Sequence, residues 1–201
     1  MRLGFDLDGV LAHFSVAFHQ LLLDRHGDRC PKDYDPSQPP CWEWPRHFGY
    51  TEAEERACWD EVWTSRTFWQ HLDVMPGEER TIHQLNALHV HDGHEIHFIT
   101  HRRGKAVQYQ SAWFLINAGF RHPSVIIAGD KYPIINALKL DAYIDDRIET
   151  VNELTRAREA GALNGDPRIY LRHAPYNREN RHPGLIVVNN VWEMLTREGL
   201  V

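Results

Sequence analysis

The sequence has few cysteines, no excess of positive charge and no long apolar run. Its 201 residues include three cysteines, Cys30, Cys41 and Cys58, and no pair has CxxC spacing. An odd number of thiols without such spacing argues against a disulfide framework and fits reduced thiols. No apolar run approaches the length of a membrane span, and a motif that begins at residue 6 leaves no room for a signal peptide. We therefore expect a cytoplasmic protein that does not enter a membrane.

The charge balance limits the class of ligand. Lysine and arginine total 22 against 28 aspartates and glutamates, which gives a formal net charge of −6. A nucleic-acid polymer is normally bound by a basic surface, so this balance argues against one. A small anion remains a suitable ligand, because a few local cations and a metal can bind a single phosphate. The length suits one domain with a sizeable insertion.

Strand and helix patterns alternate through most of the chain. The patterns predict strands over residues 2–7, 94–99, 124–129, 140–145, 168–171 and 185–188. They predict helices over residues 12–27, 78–91, 104–118, 148–160 and 190–198. Such alternation is typical of a parallel sheet covered by helices on both faces. The predicted fold class is α/β, a doubly wound Rossmann-like sheet.

One segment breaks this alternation. Residues 28–50 contain five of the chain's 11 prolines, so we expect no regular structure there. Thr51 and Glu54 then form a capping box, which predicts the start of a helix. These observations predict a core domain of residues 1–11 and 76–201. Residues 12–75 would form a small helical cap inserted after the first strand.

Aromatic residues are concentrated in the predicted cap. Trp59 and Trp63, four residues apart, share one helix face, and we interpret them as the cap's own packing core. Trp42 and Trp44 lie in the proline-rich segment with Phe48 and Tyr50. This second group could stack on a nucleobase or could pack into the core, and the pattern allows both.

The predicted strands end in reactive side chains. The stretch GFDLDGV places Asp6 and Asp8 after the first strand, and Thr100 and His101 close the second. Lys131 follows the third strand in GDK, and IDDR places Asp145 and Asp146 at the end of the fourth. Singly, each feature has an ordinary reading, such as a polar turn, a surface lysine or a helix N-cap. Together they lie where parallel α/β sheets bind ligands, outside the carboxyl ends of the strands.

These residue types suit metal-dependent phosphoryl transfer. Oxygen ligands from Asp6, Asp145 and Asp146, with a backbone carbonyl near Asp8, suit Mg²⁺. Lys131 would neutralise phosphate charge. Thr100, before the helix predicted at 104–118, would hold phosphate oxygens near a helix N-terminus. An aspartate can act as a covalent nucleophile, and a second carboxyl can protonate the leaving oxygen and later activate water.

The four strand ends resemble the four motifs of the haloacid dehalogenase superfamily. DLDGV, the strand that ends in Thr100, Lys131 in GDK, and IDDR carry the resemblance. Dehalogenases of that superfamily lack the second aspartate of the first motif, whereas its phosphatases have it. DLDGVLAHF, SRTFWQHLDVMPG and YIDDR are similar to the 5′(3′)-deoxyribonucleotidases, small phosphatases of nucleoside monophosphates. The resemblance covers most of the chain.

The resemblance implies a role for each motif residue. Asp6 would be the nucleophile and Asp8 the acid/base. Thr100 and Lys131 would hold the phosphate. Asp6, Asp146 and the carbonyl of Asp8 would hold Mg²⁺, with Asp145 in support.

Outside the motifs, Phe14 and Trp42 match aromatic positions that line the nucleoside pocket in the deoxyribonucleotidases. His13 stands where those enzymes usually have an acidic residue, and His101 where they have a small hydroxyl residue, so sugar or base contacts could differ. Lys105 could touch phosphate or simply begin a solvated helix.

The sequence thus predicts a Mg²⁺-dependent phosphatase of (deoxy)ribonucleoside monophosphates that works through a phosphoaspartate. Two alternatives remain open. One is a phosphatase of the same fold for another small metabolite, such as a sugar phosphate. The other is a non-catalytic module that binds a phosphorylated ligand. The expected partner is a small phosphomonoester, and a homodimer is compatible with the sequence.

Overall fold

Six parallel strands form one sheet in a computed structural model that describes all residues from 1 to 201. The strands are β1 (Arg2–Phe5), β2 (Glu95–Thr100), β3 (Ser124–Ile127), β4 (Ala142–Asp145), β5 (Arg168–Arg172) and β6 (Ile186–Val188). Their order across the sheet is β3-β2-β1-β4-β5-β6. The chain therefore winds outward in both directions from β1, and the predicted doubly wound sheet is confirmed.

Eight α-helices accompany the sheet. They are α1 (Phe14–His26), α2 (Trp44–His47), α3 (Glu52–Thr64), α4 (Glu79–Val90), α5 (Val107–Asn117), α6 (Tyr132–Leu138), α7 (Ile148–Glu159) and α8 (Val191–Arg197). Two single 3₁₀ turns lie at Trp69–His71 and Pro175–Asn177. No helix is both long and apolar enough to cross a membrane.

Side chains alternate between the two faces of the sheet and form two apolar clusters. Leu3 and Phe5 of β1 point to a large cluster that α4, α5 and α8 also enter. Tyr143 of β4 points to the other face, into a smaller cluster that α6 and α7 enter. Both faces of the sheet are thus covered by helices, as a parallel sheet requires.

The structure differs from the predicted elements in several places. The strand predicted over 2–7 ends at Phe5, so Asp6 follows the sheet edge directly. The proline-rich segment, predicted to lack regular structure, contains the four-residue helix α2 with proline in its first turn, where a missing N–H costs nothing. The helix α6 was not predicted, because seven residues give too few turns for a periodic pattern.

The segment between β1 and α4 leaves and rejoins the sheet at one point. His13 donates its N–H to the carbonyl of Asp73 at 2.8 Å, and Met75 donates to Leu11 at 2.8 Å. The predicted capping box at Thr51 is present at the start of α3. Two hydrogen-bonded chain segments, one leaving and one returning, thus connect α1, α2 and α3 to the rest of the molecule. Within this part of the chain, α1 packs on α3.

Candidate active site

Four polar residues meet at the carboxyl edge of the central strands. Asp6 follows β1, Thr100 ends β2, and Asp145 and Asp146 end and follow β4. These strands are neighbours, because β1 pairs with β2 on one side and with β4 on the other. All four side chains are almost completely buried. These four residues form the bottom of a cavity of about 290 Å³, and we call them the floor.

Lys131 links two of these carboxylates. It precedes α6, and its Nζ donates to Asp6 Oδ1 and Asp145 Oδ2, both at 2.7 Å. Burial alone would lower the pKa of Lys131, but Asp145 and Asp6 outweigh it and raise that pKa. Asp145 also accepts the Tyr143 hydroxyl at 2.6 Å and the Arg147 N–H at 2.8 Å. Asp145 therefore accepts three hydrogen bonds within the protein, which suits a supporting role.

Asp146 has no cationic partner within ion-pair distance. Its Oδ2 accepts the hydroxyl of Tyr176, and its backbone carbonyl accepts Asn177 Nδ2 at 2.8 Å. Burial, and then the charge of Asp145, raise the pKa of Asp146 to about 7. Gly9 lies against this carboxylate with a φ of +75°, and a Cβ there would overlap Asp146. Only glycine fits this close approach.

The charges on the floor fit a divalent cation. Burial, opposed by Lys131 and reinforced by the other carboxylates, raises the pKa of Asp6 well above its ordinary value. Asp6, Asp145 and Asp146 can each offer an oxygen within 4.8 Å of the others. The floor and the adjacent Asp8 together hold four carboxylates, against the two buried cations Lys131 and Arg102. A divalent cation would balance the remaining negative charge, and these hard oxygen donors suit Mg²⁺.

Asp8 lies beside the floor and is paired with a residue that the sequence analysis missed. Arg102 Nε and Nη2 approach both carboxylate oxygens, the shortest contact being 2.8 Å. Arg102 lies two residues beyond Thr100, at the same strand end as the predicted residues. Its position at a strand end could therefore have marked Arg102 as a candidate site residue, but nothing in the sequence indicates that it pairs with Asp8. Tyr176 lies in the single 3₁₀ turn after β5, which is too short to give a sequence pattern.

Thr100 projects a free hydroxyl toward the cavity. Its Oγ1 is buried and has no hydrogen-bond partner in the protein. The helix predicted to begin at residue 104 begins at Val107, and Ala106 before it has a left-handed φ of 50°. The hydroxyl, rather than a helix end immediately after it, is thus the donor that this strand end offers.

An aromatic wall rises from the floor on one side. Its members are Phe14, Trp59, Trp63 and Trp69. Phe14 stacks on Trp59 at 5.3 Å and on Trp69 at 5.6 Å between ring centroids. Trp59 and Trp63 also pack on the apolar core. The interpretation of these two as cap core is therefore incomplete, since the same rings line the cavity.

Trp42 lines the cavity from the proline-rich segment and stacks on Tyr176 at 4.9 Å. Trp44 and Tyr50 are buried in the core instead. Of the four aromatic residues considered there for base stacking, Trp42 alone lines the cavity.

The other predicted residues are divided between the cavity mouth and its surroundings. His101 lines the mouth with Arg103 and Arg147. Burial, followed by the charges of these two arginines and Lys131, lowers the pKa of His101. Lys105 is exposed and lies outside the cavity lining, and its backbone N–H donates to the carbonyl of Trp63. His13 is buried outside the lining.

The doubly wound sheet with aspartates at its central strand ends is the haloacid dehalogenase fold. Solved structures of this fold are similar to the chain. A protein of Burkholderia xenovorans, provisionally described as a haloacid dehalogenase-like hydrolase, matches with a TM-score of 0.58 and 11% identity. The match covers 98% of this chain and 96% of that one. A HAD-superfamily hydrolase from Ehrlichia chaffeensis has a TM-score of 0.50 and 14% identity, over 99% and 95%.

The sequence comparisons narrow the class to one family. The profile of the family described as 5′ nucleotidase, deoxy (pyrimidine), cytosolic type C protein matches residues 1–183. The chain belongs to this family. A protein of Oceanobacillus iheyensis, provisionally named a nucleotidase, is 27% identical over 188 residues, which cover 90% of this chain and 91% of that protein. The chain is thus an enzyme, a phosphatase of the 5′-nucleotidase type.

Proposed function

We propose that the protein is a Mg²⁺-dependent phosphatase of deoxyribonucleoside and ribonucleoside monophosphates, working through a phosphoaspartate on Asp6. One observation carries this proposal. A buried aspartate paired with Lys131 lies at the bottom of a cavity whose wall is aromatic. The floor supports the chemistry of a phosphate, and the wall supports contact with a flat organic group.

In the first step, an oxygen of Asp6 attacks phosphorus and the bond from phosphorus to the ester oxygen breaks. Asp8 gives a proton to that leaving oxygen, so a nucleoside is released. Lys131 and the free hydroxyl of Thr100 bind the phosphate oxygens. In the second step Asp8 takes a proton from water, which attacks the phosphoaspartate, releases inorganic phosphate and restores Asp6.

The residues that would hold the metal are Asp6, Asp146 and the backbone carbonyl of Asp8, with Asp145 in support. Bound Mg²⁺ supplies positive charge against the phosphate oxygens. The chain's own contribution is to keep three carboxylates buried and close together, so that the site favours a divalent cation.

The wall supports a nucleoside as the leaving group. Phe14 and Trp42 line the cavity from two different segments, with Trp59 beside Phe14. Stacking between a base and an aromatic ring is worth about 1–3 kcal/mol. We propose that these rings bind the base, that His101 contacts the sugar or phosphate at the mouth, and that Lys105 acts only at a distance. Residues 12–75, which carry all of these rings, would form a cap on a core of residues 1–11 and 76–201. The enzyme would be cytoplasmic.

A second candidate is a phosphatase of another small phosphorylated metabolite, such as a sugar phosphate. His101 at the mouth favours it, because an imidazole replaces the small hydroxyl residue that the resemblance leads us to expect. A hydrogen-bonding ring at that place would suit a polyhydroxylated substrate.

A substrate panel separates the two candidates. Phosphate release would be measured with Mg²⁺ from deoxyribonucleoside and ribonucleoside 5′- and 3′-monophosphates and from sugar phosphates. We expect the highest kcat/KM for a nucleoside monophosphate, and loss of all activity with EDTA. A higher kcat/KM for a sugar phosphate would favour the second candidate, and full activity after chelation would contradict the metal requirement.

A further inference from the structure

Arg102 holds Asp8 by a two-pronged contact. Its Nη2 donates to Asp8 Oδ1 at 2.8 Å, and its Nε lies 3.2 Å from Oδ1 and 3.0 Å from Oδ2. A planar guanidinium that engages both carboxylate oxygens fixes the orientation of the carboxylate as well as its position. Asp8 has no other side-chain hydrogen bond within the protein, and about a quarter of its side chain is exposed. Without Arg102, this carboxylate would be free to rotate toward solvent.

Arg102 is itself held from three sides. Its Nη1 donates to Ser111 Oγ at 3.1 Å. Its guanidinium carbon lies 4.9 Å from the ring centroid of Trp69 and 5.5 Å from that of Phe114. Its side chain is 0% exposed. The guanidinium therefore has a single place to lie, and Asp8 is bound to a fixed point rather than to a mobile side chain.

The contacts of Arg102 direct its action to Asp8 rather than to a phosphate. All three guanidinium nitrogens already donate, to Asp8 or to Ser111. Arg102 lines the cavity together with Lys131 and Thr100, but the Thr100 hydroxyl has no partner in the protein, whereas the guanidinium nitrogens are all engaged. Trp69 is in turn tied to the same loop, since its Nε1 donates to the carbonyl of Arg103 at 3.0 Å.

We propose that Arg102 is the positioning residue for the acid/base Asp8, a role that rests on the proposed phosphatase mechanism. Trp69 and Ser111 hold the guanidinium, and the guanidinium holds the carboxylate where the leaving oxygen and the attacking water must be met. An error of about 1 Å in such a group costs on the order of a hundredfold in rate. The effect belongs to kcat, because the step that suffers is proton transfer and not phosphate binding.

A double-mutant cycle tests this role. Asp8→Asn, Arg102→Met and the double variant would be compared on a nucleoside monophosphate, whose alkoxide needs a proton, and on nitrophenyl phosphate, whose phenolate does not. Hydrolysis of the nucleoside monophosphate is measured by its steady-state kcat and KM. Release of nitrophenol is measured by rapid quench as a burst. We expect Arg102→Met to lower kcat for the nucleotide about a hundredfold, with KM nearly unchanged and the nitrophenol burst retained. In the Asp8→Asn background it should have no further effect.

Two further variants keep the test decisive. Arg80→Met removes another arginine that lies over a tryptophan ring, at 4.2 Å from Trp192, and should leave the kinetics unchanged. If Arg102→Met does not fold, Arg102→Lys takes its place in the cycle, since it keeps the charge and loses the fork. It should then show the same kcat-only loss in smaller degree.

Each contrary outcome has a distinct meaning. If the rate losses of Arg102→Met and Asp8→Asn multiply in the double variant, or if Arg102→Met raises KM, then Arg102 acts directly on the substrate. The positioning role would then be wrong. Equal loss on both substrates, with no burst, would also overturn it. If Asp8→Asn alone leaves nucleotide turnover intact, the proposed acid/base is wrong, and that failure belongs to the proposed function itself.

Discussion

The carboxylates on the floor of the cavity are almost completely buried, whereas Trp59 and Trp63 on its wall are half-buried. A buried charge destabilises a fold unless it is paired, so each floor group depends on a specific partner. A ring in a stack shares its burial with several others, so its loss is graded. On the proposed function, the floor carries out the chemistry at the expense of stability, and the wall binds the substrate. Substitutions on the floor and on the wall should therefore differ in their effects on turnover, stability and binding.

The largest effect is expected on the floor, from Asp6→Asn. The substitution keeps the shape and removes the charge of the proposed nucleophile, so turnover should fall by about a thousandfold or more. Because burial first, and then the neighbouring carboxylates, raise the pKa of Asp6, its charge costs folding free energy, and the melting temperature should not fall. Circular dichroism and steady-state kinetics measure both.

The matched control for Asp6→Asn is Asp60→Asn, which changes an exposed aspartate on α3 and should leave turnover and stability unchanged. Near wild-type turnover in Asp6→Asn would place the nucleophile elsewhere. A large drop in its melting temperature would instead show that the floor stabilises the fold, and the contrast with the wall would be lost.

The next effect concerns the metal and uses Asp146→Asn. Mg²⁺ at about 100 times its dissociation constant should stabilise the wild type by about 2.7 kcal/mol. For a chain of this size that corresponds to a rise of roughly 5–10 °C in melting temperature. Asp146→Asn removes the one floor carboxylate without a cationic partner and should abolish the rise. A melting curve with and without Mg²⁺ is the measurement, and an equal rise in both proteins would contradict this metal site.

Most of the floor could be predicted from the sequence, because the carboxyl ends of parallel strands share one edge of a sheet. A residue that directly follows a strand, such as Asp6 or Asp146, is therefore placed by local pattern alone. Arg102 shares that local signal, but its pairing with Asp8 depends on Trp69 and on Ser111, which reach it only through tertiary packing. No local pattern encodes that pairing.

The wall was harder to predict for a related reason. A spacing of four residues shows that Trp59 and Trp63 share a helix face, but it does not show what lies opposite that face. The contact between Trp42 and Tyr176 joins residues 134 positions apart, and both lie in irregular or single-turn segments. Helical and strand periodicity carry no information there.

A moderate effect is expected on the wall, from Trp59→Leu. Losing one stacking ring should lower kcat/KM for a nucleoside monophosphate about 10–100-fold, while glycerol phosphate, which has no ring, should be hydrolysed as before. Trp113→Leu, on an exposed tryptophan of α5 outside the cavity, serves as the control. Equal losses on both substrates would mean that the wall supports the chemistry of the floor.

The smallest effect is expected at Tyr176, which connects Trp42 to the floor. Its ring stacks on Trp42, and its hydroxyl donates to Asp146. Burial, and then Asp145, raise the pKa of Asp146 to about 7, whereas the Tyr176 hydrogen bond opposes that rise. Between its ordinary pKa near 3.8 and about 7, the folded protein keeps a proton that the unfolded chain has lost. Raising the pH through that window should therefore destabilise the metal-free protein.

Mg²⁺ needs the ionised carboxylate, so its affinity should climb over the same window and level off above about pH 7. Tyr176→Phe removes a bond worth about 1 kcal/mol, which raises the pKa of Asp146 and moves that plateau to higher pH. At pH 7 the affinity for Mg²⁺ should fall about threefold, whereas at pH 9 the two proteins should agree. Mg²⁺-dependent melting temperatures from pH 6 to 9 measure this, with Tyr109→Phe on an exposed tyrosine as control. An offset that stays constant with pH would mean that Tyr176 orients Asp146 without changing its ionisation, and the aromatic side of the cavity would then act on the floor through geometry alone.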